Sequence, residues 1–211
     1  MIRKLLTAAI FTLCGTGAFA QLFSNGSELS SLSDFKDGKF QFHSVKSIYW
    51  SQIVNEGRNY VDRSEKVWVP ARLYLPKTTS TKVPAMVIMH GIGGLYMRNG
   101  QKRAYWEYAE MLVENGIASV VVDTQGARGV GVTNQLGSTE VSVYTFAADA
   151  FAAADRLRTH PAIDPDRIGI MGFSKGGMTT LLATDRRFVS SLSRSASMFK
   201  LHVPIYPGCQ N

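Results

Sequence analysis

Residues Arg167 to Ala183 read RIGIMGFSKGGMTTLLA. Ile168, Ile170 and Met171 belong to a short apolar run of the length of a buried strand. Gly172-Phe173-Ser174-Lys175-Gly176-Gly177 follows without a spacer, and Met178, Leu181 and Leu182 then recur at helical spacing. Strand, glycine-flanked serine and helix form the context in which G-x-S-x-G makes a nucleophile elbow. A serine on so tight a turn takes a strained backbone conformation, and its neighbours two before and two after are pressed together. Only residues without Cβ tolerate that crowding, which accounts for Gly172 and Gly176. The turn lifts the Ser174 hydroxyl clear of the sheet. It also aims the Lys175 N–H, at the helix N-terminus, toward a developing oxyanion. The bare pattern also arises by chance in Gly/Ser-rich turns; the preceding strand, the extra Gly177 and the following helix favour the elbow.

Val83 to Met89 (VPAMVIM) is a continuous apolar run, as expected of a central parallel strand buried on both faces. It ends in His90-Gly91-Ile92-Gly93-Gly94. Open α/β sheets bind ligands at such a position, the carboxyl end of a central strand. Beside a nucleophile elbow this loop supplies a second oxyanion donor, here assigned to the Ile92 N–H. His90 has two readings, a general base or a brace for the loop, and the brace is favoured at this position. A phosphate-binding loop is set aside because neither G-x-x-x-x-G-K-[ST] nor G-x-G-x-x-G occurs.

The remaining elements fall around these two. A first strand is expected near Phe40, His43 and Val45, with His43 an ordinary strand or surface histidine. Val67 to Leu75 alternates, with Val67, Val69, Ala71, Leu73 and Leu75 on one face; Pro70 predicts an edge position. Lys77 to Lys82 is a polar turn. Ala104 to Asn115 reads as an amphipathic helix with Tyr108, Met111 and Leu112 inward and Gly116 ending it. Ile117 to Val122 is another buried strand, followed by Asp123 and a glycine-rich loop, Thr124 to Gly137. Arg128 in that loop either steers an acidic or ester substrate or is a solvated loop residue. Val141 to Arg158 is a long helix with Val143, Phe146, Ala147, Ala150, Ala154 and Leu157 on one stripe. His160 near its end suits the helix dipole as a cation, and Ile163 to Asp166 forms a turn into the elbow strand.

Residues 1–20 (MIRKLLTAAIFTLCGTGAFA) have the order of an export signal. Arg3 and Lys4 precede an apolar core too short to span a bilayer, and Ala18-Phe19-Ala20 is a small-x-small cleavage pattern, so the mature chain is expected to start at Gln21. Leu13 before Cys14 argues against a lipid anchor. Export to a periplasm or the outside follows, with no stable membrane anchor after cleavage. Residues 21–38 read as a flexible lead-in and 39–211 as one domain. Cys209 is the single cysteine after cleavage, a free thiol or half of a missing pair. The net charge of +7 falls to +5 without Arg3 and Lys4, and the surplus is scattered, so no nucleic-acid partner is expected.

Three signals occur in order: HGIGG after a strand, a strand ending in Asp123, and HPAIDPDRIGIMGFSKGG from His160 to Gly177. Together they resemble the dienelactone hydrolase branch of the α/β-hydrolase superfamily, over about residues 67–209 and most specifically at the elbow. Pro207-Gly208-Cys209, after an apparent strand Leu201 to Tyr206, resembles that branch as well. The resemblance implies a mostly parallel, eight-stranded sheet with helices on both faces and a nucleophile–acid–histidine triad acting on esters or lactones, without a cofactor. Ser174 matches the nucleophile position. Dienelactone hydrolases proper use cysteine there, which sets this chain beside serine-using relatives and away from a dienelactone substrate.

The superfamily order is nucleophile, acid, histidine. Past Ser174 the one histidine is His202, at the start of a strand and so at the wrong end of the sheet. Asp185 follows the elbow too closely for the triad acid and reads as a helix-end residue. The expectation is a fold truncated after about its sixth strand, the N-terminal part of a longer protein, nearly inactive by itself. Residues 21–211 are then expected to expose an apolar sheet edge beside Leu201 to Tyr206 and to be poorly soluble or bind a hydrophobic dye. The function expected of the whole protein is an exported serine hydrolase. Its alternatives are a prolyl-oligopeptidase-like peptidase and a non-catalytic binding protein on the same fold.

Overall fold

The computed structural model describes residues 36–77, 81–97, 100, 102–130 and 141–208. Residues 1–20, most of the lead-in, part of the Lys77–Lys82 turn, the end of the glycine-rich loop and Cys209 lie outside them.

In chain order the elements are β1 (Lys36–Val45), α1 (Trp50–Asn55), α2 (Arg58–Arg63), β2 (Lys66–Leu75), β3 (Val83–Met89), α3 (Tyr105–Glu114), β4 (Ala118–Val122), α4 (Val143–Arg158), β5 (Ile163–Phe173), α5 (Lys175–Leu182), α6 (Arg186–Leu192) and β6 (His202–Ile205). A 3-10 turn, Gly126–Arg128, follows β4. The six strands form one sheet in the order β1-β2-β4-β3-β5-β6. β1–β2 and β2–β4 are antiparallel; β4–β3, β3–β5 and β5–β6 are parallel. This is the mixed, mostly parallel architecture the sequence predicts.

Alternation along the strands fills two cores. Val87, Val120 and Ile170 face one side, under α4 and α6; Ile88, Val121 and Met171 face the other, under Trp106, Ala109 and Leu112 of α3. Both faces of β3 and β4 are covered, so their sequences read as unbroken apolar runs.

Several local expectations shift. β2 is an interior strand, paired on both sides, although it carries Pro70. The Pro70 carbonyl accepts the Asp123 N–H at 3.0 Å, while the β2–β4 ladder starts only at Ala71↔Val122. In antiparallel pairing a residue's N and O point to the same side. The missing donor therefore faces the space past the end of β4 and costs β1 no ladder bond.

On α3 the buried face is Tyr105, Trp106, Ala109, Leu112 and Val113, with Tyr108 and Met111 on its flank. On α5 the apolar residues at helical spacing do not form the buried face. Gly176, Gly177, Thr179 and Thr180 are buried, and Leu181 is 49% exposed. Small residues face inward because the helix lies too close to the strands for larger ones. The Ile163–Asp166 turn is an irregularity inside β5: pairing with β3 jumps from Val83↔Ile163 to Ala85↔Ile168, and Asp164 Oδ1 accepts the Asp166 N–H. α1 and α2 were not foreseen. Each buries one anchor, Ile53 and Val61, so neither shows an apolar stripe.

Candidate active site

Ser174 sits between β5 and α5 with φ 52° and ψ −112°, the strained conformation the motif requires. Three close approaches hold it there. A Cβ on Gly172 would overlap the Gly176 carbonyl, and a Cβ on Gly176 would overlap Met89 O at the end of β3. A Cβ on Gly177 would stand 2.9 Å from Ile205 O in β6. The Ser174 N–H is bonded to Ile205 O at 3.0 Å, which ties the elbow to the neighbouring strand. Lys175 opens α5, where backbone N–H groups point out along the helix axis. Its Nζ donates to Val141 O and lies 5.2 Å from the Phe146 ring centre; burial holds its pKa below the usual lysine value.

The His90–Gly94 loop packs directly on the elbow. A Cβ on Gly91 would lie 3.2 Å from Phe173 O and 3.3 Å from Ser174 Cβ. The loop is fixed from three sides. Gly91 N–H donates to Tyr105 Oη at 3.0 Å, Gly94 N–H donates to Gly91 O at 3.1 Å, and Gln125 Nε2 donates to Ile92 O at 2.8 Å. His90 Nδ1 also lies 2.7 Å from Gly91 O, which makes Nδ1 the protonated nitrogen. The Gly91 carbonyl is thus drawn toward His90 and Gly94. A trans peptide is planar, so the Ile92 N–H of the same unit points the opposite way.

His90 is fully buried, and desolvation holds its pKa below the usual imidazole value. Its contact with the loop carbonyl is that of a brace. None of the four histidines is hydrogen-bonded to Ser174. His202 pairs across from Ile170, three residues short of the β6 end, and its Nε2 contacts Ala183 O at 3.2 Å. His43 stacks on Trp68 with ring centres 3.6 Å apart. His160 Nδ1 accepts the Ala162 N–H at 3.2 Å, and burial followed by the Arg156 charge lowers its pKa. The cationic helix-end role expected of His160 is therefore replaced by a neutral acceptor in a turn.

Asp185 caps α6, accepting the Arg187 N–H at 2.8 Å, as its helix-end reading requires. Arg128 departs from both of its readings. Its side chain is 7% exposed and forms a two-point ion pair with Asp149, which is 0% exposed. It also donates to Lys46 O, Thr124 O and Val45 O. It clamps β1, the loop after β4 and α4 together and offers nothing to a substrate. Tyr105 and Gln125, which hold the loop, were missed. Neither stands in a motif, and only the fold brings them to Gly91 and Ile92.

Among the described residues no group of three or more His, Cys, Asp or Glu side chains could hold a metal, and no helix is long and apolar enough to cross a membrane.

The fold is shared with known proteins. A solved Klebsiella pneumoniae protein, whose name assigns it provisionally to the dienelactone hydrolases, superposes with a TM-score of 0.53 at 17% identity, over 82% of this chain and 62% of its own. The chain has the α/β-hydrolase fold. Ser174 stands at the strand-to-helix elbow of that fold. Residues 104–194 match the prolyl oligopeptidase family. Human arylacetamide deacetylase-like 2 is 31% identical over 147 residues, covering 67% of this chain and 34% of the relative. The thiohydrolase aneE of Aspergillus aculeatus is 32% identical over 111 residues, covering 52% and 31%. The chain thus spans about a third of the length of these curated relatives.

Proposed function

We propose that the whole protein is an exported serine hydrolase that cleaves carboxylic esters or lactones through an acyl-enzyme on Ser174. The observation that carries this is the strained Ser174, packed against the Gly91 face of a loop whose Ile92 N–H is turned outward. In the proposed reaction Ser174 Oγ attacks the acyl carbon. The Ile92 and Lys175 N–H groups hold the oxyanion, the alcohol leaves, and water releases the acid. Ser174 also needs a base. None of the four histidines is hydrogen-bonded to it, so the proposal draws the base from another part of the whole protein. A small acyl group is favoured by the name of one relative, arylacetamide deacetylase-like 2. A peptidase is the second reading, supported by the prolyl oligopeptidase match.

In the whole natural protein, Ser174→Ala is expected to abolish hydrolysis of p-nitrophenyl esters and labelling by a fluorophosphonate. Retained turnover would sink the assignment. Faster cleavage of prolyl peptides than of short esters would select the peptidase. Ligand affinity with no serine labelling in the wild type would select a binding protein. Export is tested by the N-terminus of the protein recovered outside the cytoplasm, expected at Gln21.

A further inference from the structure

Tyr105 stands at the reacting centre without a role in the reading above. It opens α3 and is 7% exposed. The position a Cβ would take on Gly91 lies 3.3 Å from Ser174 Cβ and 3.4 Å from Tyr105 Oη. Hydroxyl and nucleophile carbon are therefore no further apart than about twice such a distance. That is a gap which a serine oxygen, an attacked carbonyl and one hydrogen bond can fill.

A phenol hydroxyl both accepts and donates. The Gly91 N–H, at 3.0 Å, occupies the accepting side, so the O–H is directed away from that nitrogen. No described residue accepts its proton. The ring is held edge-on to Phe173, with centres 5.1 Å apart at 60°, and lies 6.4 Å from His90. Burial pushes the phenol pKa up, so the hydroxyl keeps its proton. Accepting one hydrogen bond also strengthens a group as a donor.

We propose that the Tyr105 hydroxyl is a third, side-chain donor to the carbonyl oxygen of the bound ester as that oxygen becomes the oxyanion. The role rests on Ser174 being the nucleophile. Tyr105 exchanges no proton: its O–H bond stays intact, and the hydrogen bond relaxes when the carbonyl re-forms.

Tyr105→Phe in the whole natural protein keeps the ring and removes the hydroxyl. The kcat for p-nitrophenyl acetate is expected to fall about 10-fold to 100-fold, somewhat less than a backbone oxyanion donor contributes. KM should change by less than about threefold, because the contact is made in the transition state. A trifluoromethyl ketone, which forms an oxyanion adduct on serine, should lose affinity by the same factor as kcat/KM. The corresponding secondary alcohol, which forms none, should bind as before. A kcat within about twofold of wild type, or equal weakening of both ligands, overturns the role and leaves Tyr105 only as the acceptor for Gly91. Ser174→Ala keeps the two readings apart. If it retains turnover, the nucleophile assignment fails; if it is dead while Tyr105→Phe runs at the wild-type rate, only the Tyr105 role fails.

Discussion

The elbow and the Arg128 clamp both hold chain turns at the carboxyl end of the sheet, and they do so by opposite means. At the elbow, Gly172, Gly176 and Gly177 remove side chains so that β5, α5, β3 and β6 can touch backbone to backbone. At the clamp, a guanidinium is buried against Asp149 and three carbonyls contributed by β1 and the loop after β4. The first device lies within six consecutive residues and shows in the sequence. The second joins residues 45, 46, 124, 128 and 149 and shows only after folding. Tight geometry at the carboxyl end of the sheet therefore need not come from a motif.

The contrast can be broken by substitution. Gly172→Ala has the largest expected effect, since its Cβ would overlap a backbone carbonyl that cannot swing aside. We expect a loss of about 4 kcal/mol or more, read as a collapse of the urea midpoint or of soluble yield. A midpoint near wild type would show that the elbow is looser than described. At the clamp, Asp149→Leu strands a buried guanidinium and should cost about 3–5 kcal/mol. Adding Arg128→Met should recover only part of this, because Val45 O, Lys46 O and Thr124 O then lose their donor. Full recovery would mean that the ion pair, not the carbonyl bonds, is the connection.

The brace at His90 gives a smaller, pH-dependent effect. Burial holds the folded-state pKa below the reference value of 6.5. The unfolded chain takes up its proton first as the pH drops, so the stability is present above about 6.5 and is lost as the pH falls from there through the folded pKa. The denaturant midpoint should decline from pH 7.5 to 5 in the wild type. His90→Asn, whose amide can still donate to Gly91 O, should flatten that decline. It should not abolish it, because His160 and His202 carry pKa shifts of the same sign. An unchanged slope would remove His90 as the source. Gly93→Ala should have the smallest effect of all. Its Cβ would meet only the far end of Arg103, at 2.8 Å from Nη2, and that side chain can move, so stability should stay within about 0.5 kcal/mol. A larger loss would place Gly93 with the elbow glycines.

Local rules made much of this chain legible. The runs Val83–Met89 and Ile117–Val122 announce buried parallel strands because both faces of the sheet are covered. The α4 stripe through Phe146, Ala150 and Leu157 lies at helical spacing on one packed face. The same rules misjudged Pro70, Leu181 and Arg128. Pro70 reads as an edge signal, but the end of β4 decides whether its missing N–H matters. Leu181 fits a helical stripe, but the glycines bring α5 so close to the strands that small residues must face inward. Arg128 follows a glycine-rich loop's logic until Asp149, on another element, gives it a buried partner.

By itself the sequence determined the elbow at Ser174, because the steric demand of that turn falls on Gly172 and Gly176, two residues to either side of it. It likewise determined the loop that faces it, because a glycine run at the end of a central strand is local information. Only the tertiary structure decided what holds that loop in place: His90 Nδ1 on Gly91 O, Tyr105 Oη on Gly91 N–H and Gln125 on Ile92 O. Tyr105 and Gln125 come from other elements, and no spacing rule connects them to the loop. Hydrogen bonds across a fold depend on which surfaces the packed sheet and helices bring together, and that is settled by the burial of the whole core.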